Sequence, residues 1–462
     1  MFGTNAISIK KLKWLLRHPL VSNGGLLAIA QYIATGLNLV TTIIAAQSLG
    51  PGEYGIVALA IAYPTLLWSF VGVKSVSITT RYIAGFRVTK ESEKLKAMCK
   101  LGYGLDFILS LVAFVLVSAT AWWIARFVYD IPSLSLLMIT YAASFPFFSL
   151  TGTSWAILSS WQRFRWLSVF QVIDPAITLI LILGFLLAGF RITGVVIATA
   201  LGHTIIGIAM MFTATYMLYR EGFGFWWDAS LIDIAQLRKE LVSFTGWNYL
   251  MVTLSGLMGQ VPLMLLGYFR GPEEAGFYRL ATSIVMAGSY LETSLGKVVY
   301  PVLSARWKAM EKENIKRTLR RWTFLGGVPL SLLLLLVIPF LPILIQMVFG
   351  QKYRPIVLGV QLMMIGTAIS ALFFWLTAFY YATGKIAMWA KGYSTYAIAT
   401  IGVAWFVVQQ WGFLGITTAI SIGKVVFILL MLFWARQLYG FDKTSMTHIA
   451  RLAENPVPKI KN

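Results

Sequence analysis

Charge is scarce in this chain: Asp, Glu, Lys and Arg make up 12% of its 462 residues, about half the share found in a soluble domain. Hydrophobic residues account for 58% and the mean hydropathy is +0.76, so no soluble globule of this size could hide the apolar surface. That excludes a soluble protein and leaves a polytopic membrane protein. Cysteine occurs once, at Cys99, which excludes an internal disulfide. The three histidines, His18, His203 and His448, lie far apart and exclude a His/Cys metal cluster, so no metal is expected. Catalytic signatures are missing too. The Gly-Lys pairs of "LGKV", "TGKI" and "IGKV" lack the earlier glycine and following Ser/Thr of a phosphate-binding loop, and there is no HExxH or nucleophile elbow. The expectation is a non-enzyme without a cofactor, and ATP-driven action would need a partner subunit. Acidic residues are the scarcer sign, 17 against 38 Lys and Arg. The resulting excess of 21 positive charges would suggest nucleic acid in a soluble protein. In a membrane chain its ordinary cause is basic cytoplasmic loops facing anionic lipid, so no nucleic-acid partner is expected.

What is present is a series of long apolar runs. Segment 1–20 has no run long enough for a signal-peptide core, and the next, from Gly24 to about Gly50, is too long for one. It reads as an uncleaved first span. Lys10, Lys11, Lys13 and Arg17 among Ile9, Leu12, Trp14 and Leu15 suit an interfacial helix before it. Spans are expected near 24–48, 53–80, 101–127, 131–157, 163–190 and 192–219, then a polar interval at 220–240. Six more follow near 241–268, 273–303, 323–348, 354–382, 385–411 and 412–438. With both ends cytoplasmic, 29 Lys and Arg fall in cytoplasmic segments and 5 on the opposite side, which supports twelve spans with that orientation. The resulting division is an interfacial N-terminal segment 1–20, an N-lobe 21–219, a linker 220–240, a C-lobe 241–438 and a cytoplasmic tail 439–462.

A repeat organises the spans. "SLGPGEYG" (48–55) and "FRGPEEAG" (269–276) share Gly-Pro-x-Glu-x-Gly at an offset of 221. The same offset matches Gly25 with Gly246 and "GVVIATALGH" (194–203) with "GITTAISIGK" (415–424). Two six-span halves with an even span count enter the membrane the same way, so the repeat is parallel. The expected fold is an all-α integral membrane protein of about twelve transmembrane helices. They form two six-helix lobes related by a parallel pseudo-two-fold, with a cleft between them. Locally the Gly-Pro-acid step is a tight turn with Pro near a helix start and Glu in the first turn. Glu53 and Glu274 are therefore poor candidates for a substrate site.

The stretches "LGPGEYGIVALA" (49–60), "TTRYIAG" (79–85), "GPEEAGFYRLATSI" (271–284) and "YPVLSARW" (300–307) resemble a known family. It comprises the polysaccharide and oligosaccharide-lipid flippases of the multidrug/oligosaccharidyl-lipid/polysaccharide exporter superfamily, and the likeness runs over roughly residues 20–440. The resemblance implies a multi-pass protein of the prokaryotic cytoplasmic (inner) membrane. It would turn a polyprenyl-diphosphate-linked saccharide from the inner to the outer leaflet by alternating access, for surface polysaccharide such as lipopolysaccharide or exopolysaccharide. Its partners would be that lipid-linked saccharide, membrane lipids, and the polymerase and glycosyltransferases of the same assembly. The related flippase of the peptidoglycan lipid precursor usually has fourteen spans, which the count of twelve disfavours.

Moving a glycan head group through hydrocarbon demands a polar cleft, because each unpaired hydroxyl costs a few kcal/mol, and a diphosphate calls for cations at membrane depth. Lys74, Arg279, Lys297 and Lys424 are the Lys and Arg left inside the spans. Arg279 and Lys297 stand 18 residues apart, a whole number of helical turns, and share a face of span 8. Lys74, Arg279 and Lys297 lie close enough to a span end to snorkel instead. Lys424 is the deepest. At the repeat offset it matches His203, for which Asp174 in "VIDPAI" offers a partner at similar depth, as a structural or proton-responsive pair. Lys424 has Thr395 where that acid would be, and so awaits an anionic ligand or Glu292. Gln31, Asn38, Asn248 and Gln260 are uncharged polar groups that either line a cleft or bond between helices. The main rival is a cation-coupled drug or metabolite exporter of the same superfamily, with Asp174 as coupling acid. A membrane polysaccharide polymerase or ligase is a further alternative, but it should carry a large extracytoplasmic loop that the sequence lacks.

Overall fold

The computed structural model describes residues 19–72, 76–309 and 312–440. Among these the secondary structure is helical throughout, as expected where hydrocarbon leaves backbone polar groups no partner but one another. In chain order the helices are α1 (Pro19–Val71), α2 (Val76–Thr89), α3 (Ser92–Trp123), α4 (Leu134–Ala142), α5 (Phe145–Phe148), α6 (Leu150–Ser160), α7 (Phe164–Leu187) and α8 (Ile192–Arg220). After two short 3-10 turns come α9 (Arg238–Arg270), α10 (Pro272–Lys308), α11 (Lys312–Trp322), α12 (Val328–Val337), α13 (Leu341–Phe349), α14 (Ile356–Leu372), α15 (Leu376–Ala382) and α16 (Ile386–Gly440).

Eight of the described helical stretches are long and apolar enough to cross a membrane. There are nine if α14 and α15, bent by 43° at residues 373–375, form one broken span. Two of the eight pass through a left-handed glycine: α1 at Gly50 (φ 75°) and α16 at Gly412 (φ 53°). Both lie at turns placed from sequence between apolar runs, and the left-handed backbone there is one that glycine adopts without penalty. Helix α10 is not among the eight. It has the length, but Glu273, Glu274, Arg279, Glu292 and Lys297 lower its hydropathy.

The chain divides into two compact units. The first holds the described residues up to Ala287 with Phe340–Gln361 and Ile401–Thr417. A buried cluster in it includes Ile83, Met98, Tyr103, Ile157, Leu167 and Leu218, where α2, α3, α6, α7 and α8 meet. A buried carboxylate ties two of these helices: Asp106 of α3 accepts from the Thr153 backbone N–H (3.2 Å) and hydroxyl (2.7 Å) of α6. The sequence pattern did not single out Asp106, and its partners on α6 make it a structural acid. The second unit holds Gly288–Pro339, Leu362–Thr400 and the described residues from Thr418 onward. Its core is aromatic, with Phe374, Trp375, Phe379, Tyr380 and Phe427 buried against Val299, Leu303 and Met431.

Within the first unit, the two Gly-Pro-x-Glu-x-Gly copies lie against each other. A Cβ placed on Gly55 would overlap the Pro272 carbonyl, and one placed on Gly276 would overlap the Pro51 carbonyl. The second segment of α1 and the first turns of α10 therefore cross backbone to backbone, an approach open only to glycine. Neighbouring contacts hold this end of the unit together. The buried Tyr353 hydroxyl donates to Ala46 O (2.9 Å), and Arg270 donates to Val408 O (3.2 Å) and Gln410 O (2.7 Å).

Candidate functional site

Arg279 sits in the first unit, two turns into α10, and is half-buried. The Tyr54 hydroxyl lies within hydrogen-bonding reach of its guanidinium, and also of Thr42 and Ser283. Tyr54 is the tyrosine of "GPGEYG", so the first motif copy supplies the side chain that holds the arginine following the second. Tyr141 of α4 is buried beside the same charge. It pairs with Thr65 and stands in the fields of both Arg279 and Asp174. Among the described residues no carboxylate lies within ion-pair distance of Arg279; the acids that do form ion pairs nearby, Glu274 and Glu53, face Arg270 and Arg191. The result is a half-buried cation beside a neutral tyrosine hydroxyl.

The expected Asp174–His203 pair is not formed. The His203 ring stacks on Phe148 (centroids 4.2 Å apart, interplanar 25°) and meets Tyr141 edge-on at 5.9 Å. Its Nδ1 is enclosed without a hydrogen-bond partner among the described residues. Aromatic faces on α4 and α5 out-competed the acid for the ring, which the hydropathy pattern of two neighbouring spans could not reveal. Asp174 is half-buried on α7, where its backbone carbonyl accepts from Thr178 (3.1 Å). Gln31 and Gln171 bond to each other (2.5 Å), Asn38 is exposed, and the Gln260 carbonyl oxygen is buried without a partner among the described residues. Lys74 and the side chain of Asn248 lie outside the described residues.

The second unit contains Lys424, Glu292 and Lys297. Lys424 Nζ donates to the Thr367 hydroxyl (3.4 Å) and stands 4.0 Å from Glu292 Oε2. Glu292 is one of the two partners expected for it. The other carboxylate oxygen of Glu292 accepts from Ser370 at 2.6 Å. Lys297, one and a half turns on, is exposed and lines a cavity of about 330 Å³ with Glu292. Arg279 and Lys297 thus share a helix, yet one is held among hydroxyls and the other opens onto a cavity. Sequence reasoning passed over Tyr54, Tyr141, Thr367 and Ser370. The tyrosine inside the repeated motif was the available signal for Tyr54; the hydroxyls on α14 carried none.

The sequence profile of the polysaccharide biosynthesis protein family matches residues 20–307. The chain belongs to that family. The resemblance read from "LGPGEYG" is thereby borne out, and the family's fold can be compared in three dimensions. An inward-facing multidrug resistance MATE family transporter of the MOP superfamily superposes with a TM-score of 0.69 at 16% identity, covering 90% of this chain and 94% of the other. The lipid II flippase MurJ in an inward closed conformation gives 0.72 at 14% identity, covering 89% and 87%. A MOP superfamily transporter from Pyrococcus furiosus, described as having a binding pocket of reverse polarity, gives 0.61 at 16% identity, covering 92% and 97%. At these identities the likeness establishes the MOP transporter fold. No functionally curated protein matches by sequence.

Proposed function

We propose that this polysaccharide biosynthesis family member is a flippase that carries a polyprenyl-diphosphate-linked saccharide from the inner to the outer leaflet of a prokaryotic cytoplasmic membrane by alternating access. The observation that carries this reading is Arg279, half-buried beside the Tyr54 hydroxyl with no acid in ion-pair reach among the described residues. A charge in that setting is costly and is retained for a ligand, and a diphosphate supplies the missing negative charge with oxygens that accept the guanidinium fork. MurJ, which shares the fold, is a lipid II flippase. The breaks at Gly50 and Gly412, the broken α14–α15 span and the charged α10 together support twelve passes, with both ends on the cytoplasmic side. The N-lobe would then be 21–219 and the C-lobe 241–438. On this reading the chain transports and does not catalyse, and it works beside the glycosyltransferases and polymerase of a surface polysaccharide.

A second reading is favoured by one observation. Among the described residues the Asp174 side chain makes no hydrogen bond or ion pair, its backbone carbonyl alone being engaged, which suits the coupling acid of a cation-driven exporter. The test is a deletion strain without a paralogue. A flippase predicts that lipid-linked saccharide accumulates in the inner leaflet and surface glycan disappears, with restoration by the wild-type gene and not by Arg279→Met. Normal surface glycan in the deletion strain would sink the proposal.

A further inference from the structure

The cavity in the second unit has a chemistry unlike that around Arg279. Helix α10 contributes Glu292, Thr293, Lys297 and Tyr300, and α15 contributes Thr377 and Tyr381. Glu292, Gly296 and Tyr300 recur every four residues, one stripe of a helix. On the facing side Phe374, Thr377, Ala378 and Tyr381 follow the same kind of spacing. The two helices touch where a Cβ on Gly296 would lie 3.2 Å from the Phe374 carbonyl, close to the 43° bend between α14 and α15. Residues of the bend and of α15 face α10 across the cavity. Its volume of about 330 Å³ lies at the low end for small-ligand pockets. Tyr300 and Tyr381, 44% and 41% exposed, both line the cavity.

Glu292 is the decisive group. Ser370 and Lys424 fix it from behind, and its carboxylate is an acceptor only. It repels a phosphate, but it suits the adjacent hydroxyls of a sugar, which are donors in pairs. Tyrosine rings offer apolar faces with a hydroxyl at the edge, matching a pyranose with its C–H face and polar rim. Lys297, Thr293 and Thr377 supply donors for the ring and hydroxyl oxygens.

We propose that this cavity is a carbohydrate subsite that receives one pyranose ring of the transported head group, with Glu292 accepting from vicinal hydroxyls and Tyr300 and Tyr381 packing on the ring. The assignment rests on the flippase reading and adds to it. The sugar is recognised by a carboxylate-bearing aromatic pocket in the second unit, and the diphosphate by chemistry of the Arg279 kind.

Saturation-transfer NMR on the purified full-length protein in detergent tests it, with N-acetylglucosamine, glucose, galactose and glucuronate as separate probes and inorganic pyrophosphate as the contrasting anion. At least one sugar is expected to show saturation on its ring protons. Tyr381→Ala should weaken that binding about fivefold or more, Tyr381→Phe should retain it, and Glu292→Gln should reduce it. Because Tyr381 is exposed, an unchanged melting temperature is expected for both of its variants. Pyrophosphate binding, followed by calorimetry, should be unaffected by Tyr381→Ala and lost in Arg279→Met. Ring-proton saturation from none of the four sugars, or a sugar affinity in Tyr381→Ala equal to that of the wild type, overturns the subsite. Absence of pyrophosphate binding in the wild type would count against the flippase reading instead, which separates the two failures.

Discussion

Glu53 and Glu274 occupy equivalent places in the two copies of the repeated motif, and each reaches the start of the helix that closes its own half. Glu53 does so through an ion pair with Arg191 at 2.9 Å, with the arginine side chain 60% exposed. Glu274 accepts the backbone N–H of Phe413 at 2.7 Å, beside Gly412 in its left-handed conformation. The offset of 221 places Arg191 opposite Gly412. One half thus uses a side chain where the other uses a backbone conformation, and the two are not energetically equal. An exposed ion pair contributes roughly 0–1 kcal/mol, whereas a carboxylate that caps a helix start contributes about 0.5–2 kcal/mol. The second solution also depends on glycine, since a Cβ at position 412 would overlap the Glu274 carboxylate. A repeat preserves a contact between helices without preserving the atoms that make it.

The largest effects are expected where the two copies touch. Gly55→Leu and Gly276→Leu each force a side chain into a facing carbonyl, so each should lose more than the roughly 1–3 kcal/mol typical of overpacking. Their melting temperatures in detergent should fall by similar amounts. A large loss from one and none from the other would break the symmetry claimed for the pair. Next comes Gly412→Val, which combines positive φ with the carboxylate overlap and should cost about 1–3 kcal/mol. Arg191→Val should cost no more than about 1 kcal/mol. Equal costs would mean that the two halves are tied in the same way after all. The smallest difference is that between Glu274→Ala, at about 1 kcal/mol, and Glu53→Ala, at roughly half that or less. Chemical melts of the two variants decide the order.

A parallel contrast holds at Lys424 and His203, matched by the same offset. Each turns toward a preceding helix of its half, Lys424 to Thr367 and His203 to Phe148. The lysine sits with an acid and a hydroxyl, and the histidine stacks in an aromatic slot. Lys424→Met should therefore lower saccharide export by about tenfold with folding intact. His203→Phe, which keeps the stack, should leave export near wild type. Export that is equally impaired in both would contradict this division of roles.

Much of this was legible in the sequence. The all-helical, membrane-crossing character follows from hydropathy because hydrocarbon selects on composition and length. The repeat was visible because glycine and proline at a backbone crossing cannot be exchanged for other residues. The depth of Lys424 could be counted along its span, and its neighbour Glu292 was among the expected partners. What could not be read was azimuth. Nothing in "VIDPAI" says whether Asp174 turns toward His203, and a stretch that is apolar all round gives no face to orient by. For the same reason Tyr54, whose hydroxyl reaches Arg279, and Tyr141, buried beside that charge, were lost among twenty tyrosines. The break at 373–375 has no proline to announce it, and with it went unseen the cavity that Phe374 helps to line.

The central claim is transbilayer movement of a lipid-linked saccharide. Its most direct test is reconstitution of the purified protein into liposomes carrying a fluorescent polyprenyl-diphosphate saccharide, followed by a membrane-impermeant quencher that reaches only the outer leaflet. Quenching should proceed past the half-way level of protein-free vesicles, and Arg279→Met should return it to that level. Quenching that stops at half in the presence of folded wild-type protein, under an imposed proton or sodium gradient as well as without one, would contradict it.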